Sequence, residues 1–159
     1  MWKKINGNII HSTAIIEDNV KIGTNNIIYP YAVIGLQGFN RGDNPSDGII
    51  EIGDNNQIGI HTSIMAGISG KTIIGDSNII MNYVNIGHNC VIGNNNEIGA
   101  GSLLCGWVTI GNDNKIKVSV SIRNRKIIKN ECIIGMKSNV TSDIIEKGLY
   151  YGNPCKFIK

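Results

Sequence analysis

Large rings are scarce in this chain. Aromatic residues make up 6% of its 159 residues, although hydrophobic side chains reach 42%. An ordinary globular core draws more of its volume from rings, so a mixed core of that kind is not expected. The apolar mass is nearly all Ile and Val, and Gly stands at 20. That combination points to a stacked, repetitive core. Paired cysteines are missing as well. Cys90, Cys105, Cys132 and Cys155 form no CxxC spacing, which argues against a zinc ribbon or a disulfide framework and for reduced thiols. The net charge is only +3 and there is no long Lys/Arg run, so charge gives no case for nucleic acid. No apolar window is long enough to span a bilayer. Met1-Trp2-Lys3-Lys4 leads into Ile5-Asn6-Gly7-Asn8 rather than into an apolar run. The expectation is one domain in the cytoplasm, with neither a nucleic-acid nor a membrane partner.

What the chain does have is a period of six. An aliphatic residue recurs at Ile10, Ile16, Ile22, Ile28 and Ile34, returns at Ile52, Ile58 and Ile64, and then runs unbroken from Ile74 to Val140. Six residues make a short strand and a turn, and so short a strand cannot bury itself. Three of them wound into a triangular coil of 18 residues can stack on the next coil at strand spacing, about 4.8 Å. Asn and Gly at the corners tolerate the left-handed backbone that such turns require.

The spacing sorts the aliphatics into three columns. The first holds Ile22, Ile52, Ile74, Ile92, Ile110 and Ile128. The second holds Ile16, Ile34, Ile64, Ile86, Leu104, Ile122 and Val140. The third holds Ile10, Ile28, Ile58, Ile80, Ile98, Ile116 and Ile134. In the first column two steps are 30 and 22 rather than 18, so loops of 12 and 4 residues are inserted, within 35–51 and within 65–73. Both leave between the second and the first column. The fold expected is all-β: a single-stranded left-handed parallel β-helix of about seven coils over residues 1–145, with a C-terminal tail over 146–159.

Loops on one side of a rigid scaffold mark a place to look for function. Of His11, His61 and His88, only His88 lies there, two residues after Ile86. Gly106 falls in register one coil above it. A base beside a bare backbone N–H is what acyl transfer needs: one group to take the proton of the nucleophile, one to hold the developing oxyanion.

The repeat resembles the hexapeptide-repeat acyltransferase superfamily over nearly the whole chain. Ile79-Ile80-Met81-Asn82-Tyr83-Val84-Asn85-Ile86-Gly87-His88-Asn89-Cys90 is similar to the catalytic segment of UDP-N-acetylglucosamine O-acyltransferases, and Gly70-Lys71-Thr72-Ile73-Ile74-Gly75-Asp76-Ser77-Asn78 matches as well. The resemblance implies His88 as general base and Gly106 as the donor to the thioester carbonyl. Asn89 stands where the family often has Asp, and Asn85 where it has a second His. Gly152-Asn153-Pro154-Cys155-Lys156 resembles the ending of the acetyl-CoA-using branch, and no helical domain follows the coils. The resemblance therefore implies an acetyltransferase whose co-substrate is acetyl-CoA or another acyl-CoA, with no permanently bound cofactor or metal. It implies a small sugar acceptor and a parallel homotrimer with sites between subunits.

Around that pair, Trp107, Arg123, Asn124, Arg125 and Lys156 are candidates for binding the phosphate-rich coenzyme. Asn85, Lys71, Asn40 and Arg41 are candidates for the acceptor. Three other readings are weighed. An acyl-carrier-protein-dependent O-acyltransferase would use the same site. A zinc carbonic anhydrase of this fold needs three converging His. Allowing for the 4-residue insertion, His61 and His88 are 23 positions apart in the repeat frame, not a multiple of 18, so they do not stack. A structural β-helix would not need loops placed beside a His–Gly pair.

Overall fold

In the computed structural model, residues 1–38 and 47–159 are described. Their strands form three sheets that wind about one axis as a left-handed parallel β-helix of about seven coils. Each column expected from the sequence is one sheet. The first sheet pairs Ile22 with Ile52, Ile52 with Ile74, and Ile74 with Ile92. The second pairs Ile34 with Ile64, Ile64 with Ile86, and Ile86 with Leu104. The third pairs Ile28 with Ile58, Ile58 with Ile80, and Ile80 with Ile98. Strand side chains alternate between the two faces. One residue in two therefore points inward, and Ile34, Ile58, Ile86, Ile98 and Ile122 are fully buried. Burying each such side chain contributes about 1.5–3 kcal/mol.

The corners need left-handed backbone, which chain chirality disfavours outside Gly, Asn and Asp. Asn25, Asn55, Asn95 and Asp113 supply it at the corner after the first sheet, with φ between 57 and 60°. Beside them a ladder of buried asparagines runs parallel to the axis: Asn8, Asn26, Asn56, Asn78, Asn96 and Asn114. Asn78 is typical. Its N–H and Nδ2 donate to Asn56 Oδ1 at 2.8 and 3.0 Å, and Nδ2 also donates to Gly93 O at 2.9 Å. Its own Oδ1 accepts from Asn96 N and Nδ2. Every rung thus satisfies the backbone of the next.

Both ends are closed. Trp2–Ile5 folds back antiparallel on Asn8–His11. The C-terminal tail is not detached from the coils: Gly148–Tyr151 extends the third sheet beyond Cys132–Ile134, and Lys156–Phe157 pairs antiparallel with it. The insertions leave where the spacing places them, after Val33–Gln37 and after Ser63–Ala66, at the corner between the second and first sheets. Among the described residues no helix is long and apolar enough to cross a membrane.

Asn78→Ala removes two donations and two acceptances from a site without water access. At about 1–3 kcal/mol for each buried group left unpaired, it should cost about 3 kcal/mol or more. Urea unfolding checks this, with the surface variant Gln57→Ala expected to stay within about 0.5 kcal/mol of the parent chain.

Candidate active site

His88 lies at the corner between Asn85–Ile86 of the second sheet and Val91–Ile92 of the first. It is half-buried and held on every side. Above it, Gly106 is so close that a Cβ there would lie 2.6 Å from His88 Cε1 and 2.7 Å from Nε2. Below it, Gly38 is as tight: a Cβ there would lie 2.8 Å from His88 Cβ and 2.9 Å from Ile68 Cγ1. Gly38, at the start of the long insertion, is therefore packed directly against the histidine. The Trp107 ring meets the imidazole edge-on, with centroids 4.3 Å apart and planes at 88°.

Asn89 gives the ring its direction. Its Oδ1 accepts from Ile68 N–H at 2.8 Å and is 2.9 Å from His88 Nδ1. A backbone N–H can only donate, so the atom facing it is the amide oxygen, and that oxygen in turn needs a donor at His88 Nδ1. The neutral imidazole then carries its proton on Nδ1 and its lone pair on Nε2, the nitrogen beside Gly106. The family's Asp would add negative charge; Asn89 sets the tautomer without it. Ile68 belongs to the short insertion, which is further tied down by Thr72. The Thr72 hydroxyl accepts from Asn89 N–H at 2.9 Å and donates to Met65 O at 2.7 Å.

Among the described residues the Gly106 N–H has no protein acceptor, while Gly106 O accepts from Arg125 N–H. The corner thus offers a free lone pair and a free N–H within a few ångströms of each other, which suits a tetrahedral oxyanion. Cys90, the nearest buried thiol, is no rival nucleophile. Burial pushes its thiol up to about 12, and its Sγ–H donates to Cys105 O at 3.2 Å.

The other sequence candidates fall into three groups. Asn124 and Arg125 continue the corner upward, and the Arg125 guanidinium lies 4.5 Å over the Trp107 ring, while Arg123 is exposed just before them. Asn85 faces outward on the second sheet, its Nδ2 donating to Ser63 Oγ at 2.7 Å. Lys71 lies on the first sheet, where its Nζ donates to Glu51 Oε1 at 2.7 Å and holds that carboxyl below the ordinary range. Beside Lys71 is an open hollow of about 390 Å³ lined by Asp47, Ile49, Ser69, Gly70 and Lys71. It adjoins the site, because a Cβ on Gly70 would lie 3.1 Å from Asn89 Nδ2. Lys156 is on the terminal strand of the third sheet, off the corner that carries His88. Asn40 and Arg41 lie outside the described residues. His61 occupies a different corner, between Tyr31 and Tyr83.

Sequence reasoning missed Gly38 and Ile68. Gly38 had one signal available, a small residue opening an insertion next to the expected site; Ile68 acts through its backbone, and no side-chain pattern reports that.

Two outcomes follow from this packing. Gly106 lies outside the left-handed region, so Gly106→Ala folds but must displace the imidazole. A loss of roughly tenfold or more in turnover with a thermal midpoint within about 2 °C is expected, and retained turnover would show that His88 does not act from this position. Iodoacetamide at pH 8.5 should leave Cys90 unmodified in the folded protein and modify it in urea, as read by peptide mass.

Residues 71–106 match the bacterial transferase hexapeptide family (six repeats), a segment that spans His88 and closes on Gly106. The chain is 34% identical over 139 residues to the UDP-3-O-acylglucosamine N-acyltransferase of Shewanella denitrificans, covering 83% of this chain and 41% of that protein. It is 34% identical over 126 residues to the acyl-[acyl-carrier-protein]–UDP-N-acetylglucosamine O-acyltransferase of Helicobacter pylori, covering 77% and 47%. The chain spans about half the length of the curated relatives it matches. The crystal structure of a UDP-N-acetylglucosamine acyltransferase from Bacteroides fragilis superposes with a TM-score of 0.92 at 27% identity, over 96% of this chain and 60% of that one. The chain is a hexapeptide-repeat protein of the left-handed β-helix fold, similar in sequence and structure to acyltransferases of UDP-linked glucosamines.

Proposed function

We propose that this chain is an acyltransferase, moving a short acyl group from a thioester donor to a hydroxyl or amine of a nucleotide-linked sugar. The observation that carries the reading is the corner itself: His88 Nε2 and the Gly106 N–H side by side, with Nδ1 engaged by Asn89. His88 takes the proton of the acceptor as its oxygen or nitrogen attacks the thioester carbonyl. The Gly106 N–H holds the oxyanion. When the tetrahedral intermediate collapses, the C–S bond breaks and His88 returns the proton to the leaving thiolate.

Coenzyme A and acyl carrier protein both present an acyl group as a thioester. The O-acyltransferase relatives, named for acyl carrier protein, support the carrier protein. The Gly152–Lys156 segment, by its resemblance, supports coenzyme A, as do Trp107 and the Arg125 stacked on it, which offer a ring and a cation beside the histidine. Acetyl-CoA is the donor proposed first. The proposal extends to a cytoplasmic homotrimer in which the neighbouring subunit closes each site, because His88 is only half-buried within one chain.

His88→Ala should lower the rate by about 10²–10⁴-fold, measured with acetyl-CoA and with acetylated carrier protein against UDP-linked hexoses and aminohexoses. A loss below threefold would remove His88 from the reaction, and the faster of the two donors identifies the thioester used. Light scattering is expected to give about three times the chain mass of 17.2 kDa; a single-chain mass would overturn the trimer.

A further inference from the structure

The corner between the third and second sheets carries an aromatic column that the proposed chemistry does not use. Tyr31, His61 and Tyr83 all adopt left-handed backbone there, with φ of 60, 54 and 59°. Their rings stack nearly parallel along the axis. Tyr31 and His61 are 4.9 Å apart at 8°, and His61 and Tyr83 are 5.3 Å apart at 13°. The stack ends at Tyr83, which is 63% exposed. In register above Tyr83 is Gly101, since Asn85 pairs with Leu103. Gly101 keeps the same left-handed turn, with φ of 69°. A Cβ on it would meet only Ser119 Oγ, at 3.5 Å. One step of the ring column is therefore empty, with the Tyr83 ring below it and a small polar residue above.

The second sheet joins this step to the active corner. Tyr83 and His88 are five residues apart on one coil, a span of at most about 18 Å. Between them the sheet presents the half-buried Asn85 and the exposed Leu103. A nucleotide-linked sugar, with its base and its hexose separated by a diphosphate, has the length to lie along such a strip.

We propose that the Tyr83–Gly101 step is a nucleobase subsite. The base of the acceptor nucleotide enters the empty step and stacks on Tyr83 as the fourth ring of the column, while the sugar reaches His88. The inference rests on the acyltransferase reading for the sugar end only; base stacking needs no reaction to be observed. Stacking on an aromatic side chain tolerates any planar base, so the same step could take the adenine of coenzyme A. Tyr83, the floor of the step, shares its coil with His88, where the acceptor's sugar must arrive, and the acceptor is the occupant proposed.

The test uses UDP and adenosine 3′,5′-bisphosphate as probes in calorimetric titrations of the whole chain. Gly101→Tyr fills the step with a ring at a corner that already holds Tyr twice. Tyr83→Asn removes the stacking floor with a residue that tolerates the left-handed turn, so one variant remains if the other fails to fold. UDP is expected to bind the parent chain and to weaken by about tenfold or more in both variants, and adenosine 3′,5′-bisphosphate is expected to change by less than twofold. With a nucleotide-sugar acceptor, KM should rise similarly while kcat stays within twofold. Equal UDP affinity in parent and variants overturns the proposal, as does a parent chain that binds no UDP at millimolar concentration. A variant that weakens the adenosine probe instead, or that changes the assembly mass, overturns it in favour of the donor or of a subunit contact. An inactive His88→Ala variant that still binds UDP like the parent separates failure at this subsite from failure of the transfer reading.

Discussion

In-register pairing of each coil with the next is the constraint on which the rest of this molecule depends. A coil of three short strands has no stability alone; its backbone groups and its inward aliphatics find partners only one coil up and one coil down. The pairing therefore has to be repeated without slip, and the buried asparagines enforce it. Each one binds the backbone of the following coil, so a shift of one residue would leave several buried donors and acceptors unpaired at about 1–3 kcal/mol each. Hydrophobic burial acts in the same sense, because a shift of one residue would turn every inward Ile outward.

This rigidity decides where variation is allowed. Extra residues enter here at a corner, where the chain already turns and the paired strands on either side are kept. Both insertions use the same corner, and the site is assembled from what they bring back to it. Gly38, where the long insertion begins, packs against His88, and Ile68 of the short insertion supplies the N–H that orients Asn89. The scaffold contributes His88 and Gly106 at fixed separation, and the short insertion supplies orientation. Precision of this kind costs little flexibility, because the histidine hangs from a paired coil rather than from a free loop.

The uncharged partner of the histidine bears on the chemistry proposed for it. A carboxylate beside Nδ1 would both select the tautomer and stabilise the imidazolium that forms when the base takes a proton. Asn89 selects the tautomer and contributes only a dipole to the second task. In the proposed reaction the Gly106 N–H then carries more of the stabilisation than it would beside a carboxylate.

The sequence by itself determined the period, the three columns, the lengths and the shared corner of the two insertions, and the register that puts Gly106 over His88. These were legible because a repeat is a linear frame: once the coil length is known, every residue on a strand has a fixed neighbour 18 residues away. What escaped it lies off that frame. The contact of Gly38 with His88 and the bond from Ile68 to Asn89 depend on how inserted residues fold back, and an insertion has no period to read. Lys156 was a candidate for the coenzyme, yet the tail turns onto the third sheet and leaves it off the corner that carries His88. The ring column of Tyr31, His61 and Tyr83 was hidden for another reason. Its members are 30 and 22 residues apart, as the insertions dictate, and only tertiary structure shows that corner side chains stack along the axis instead of splaying into solvent.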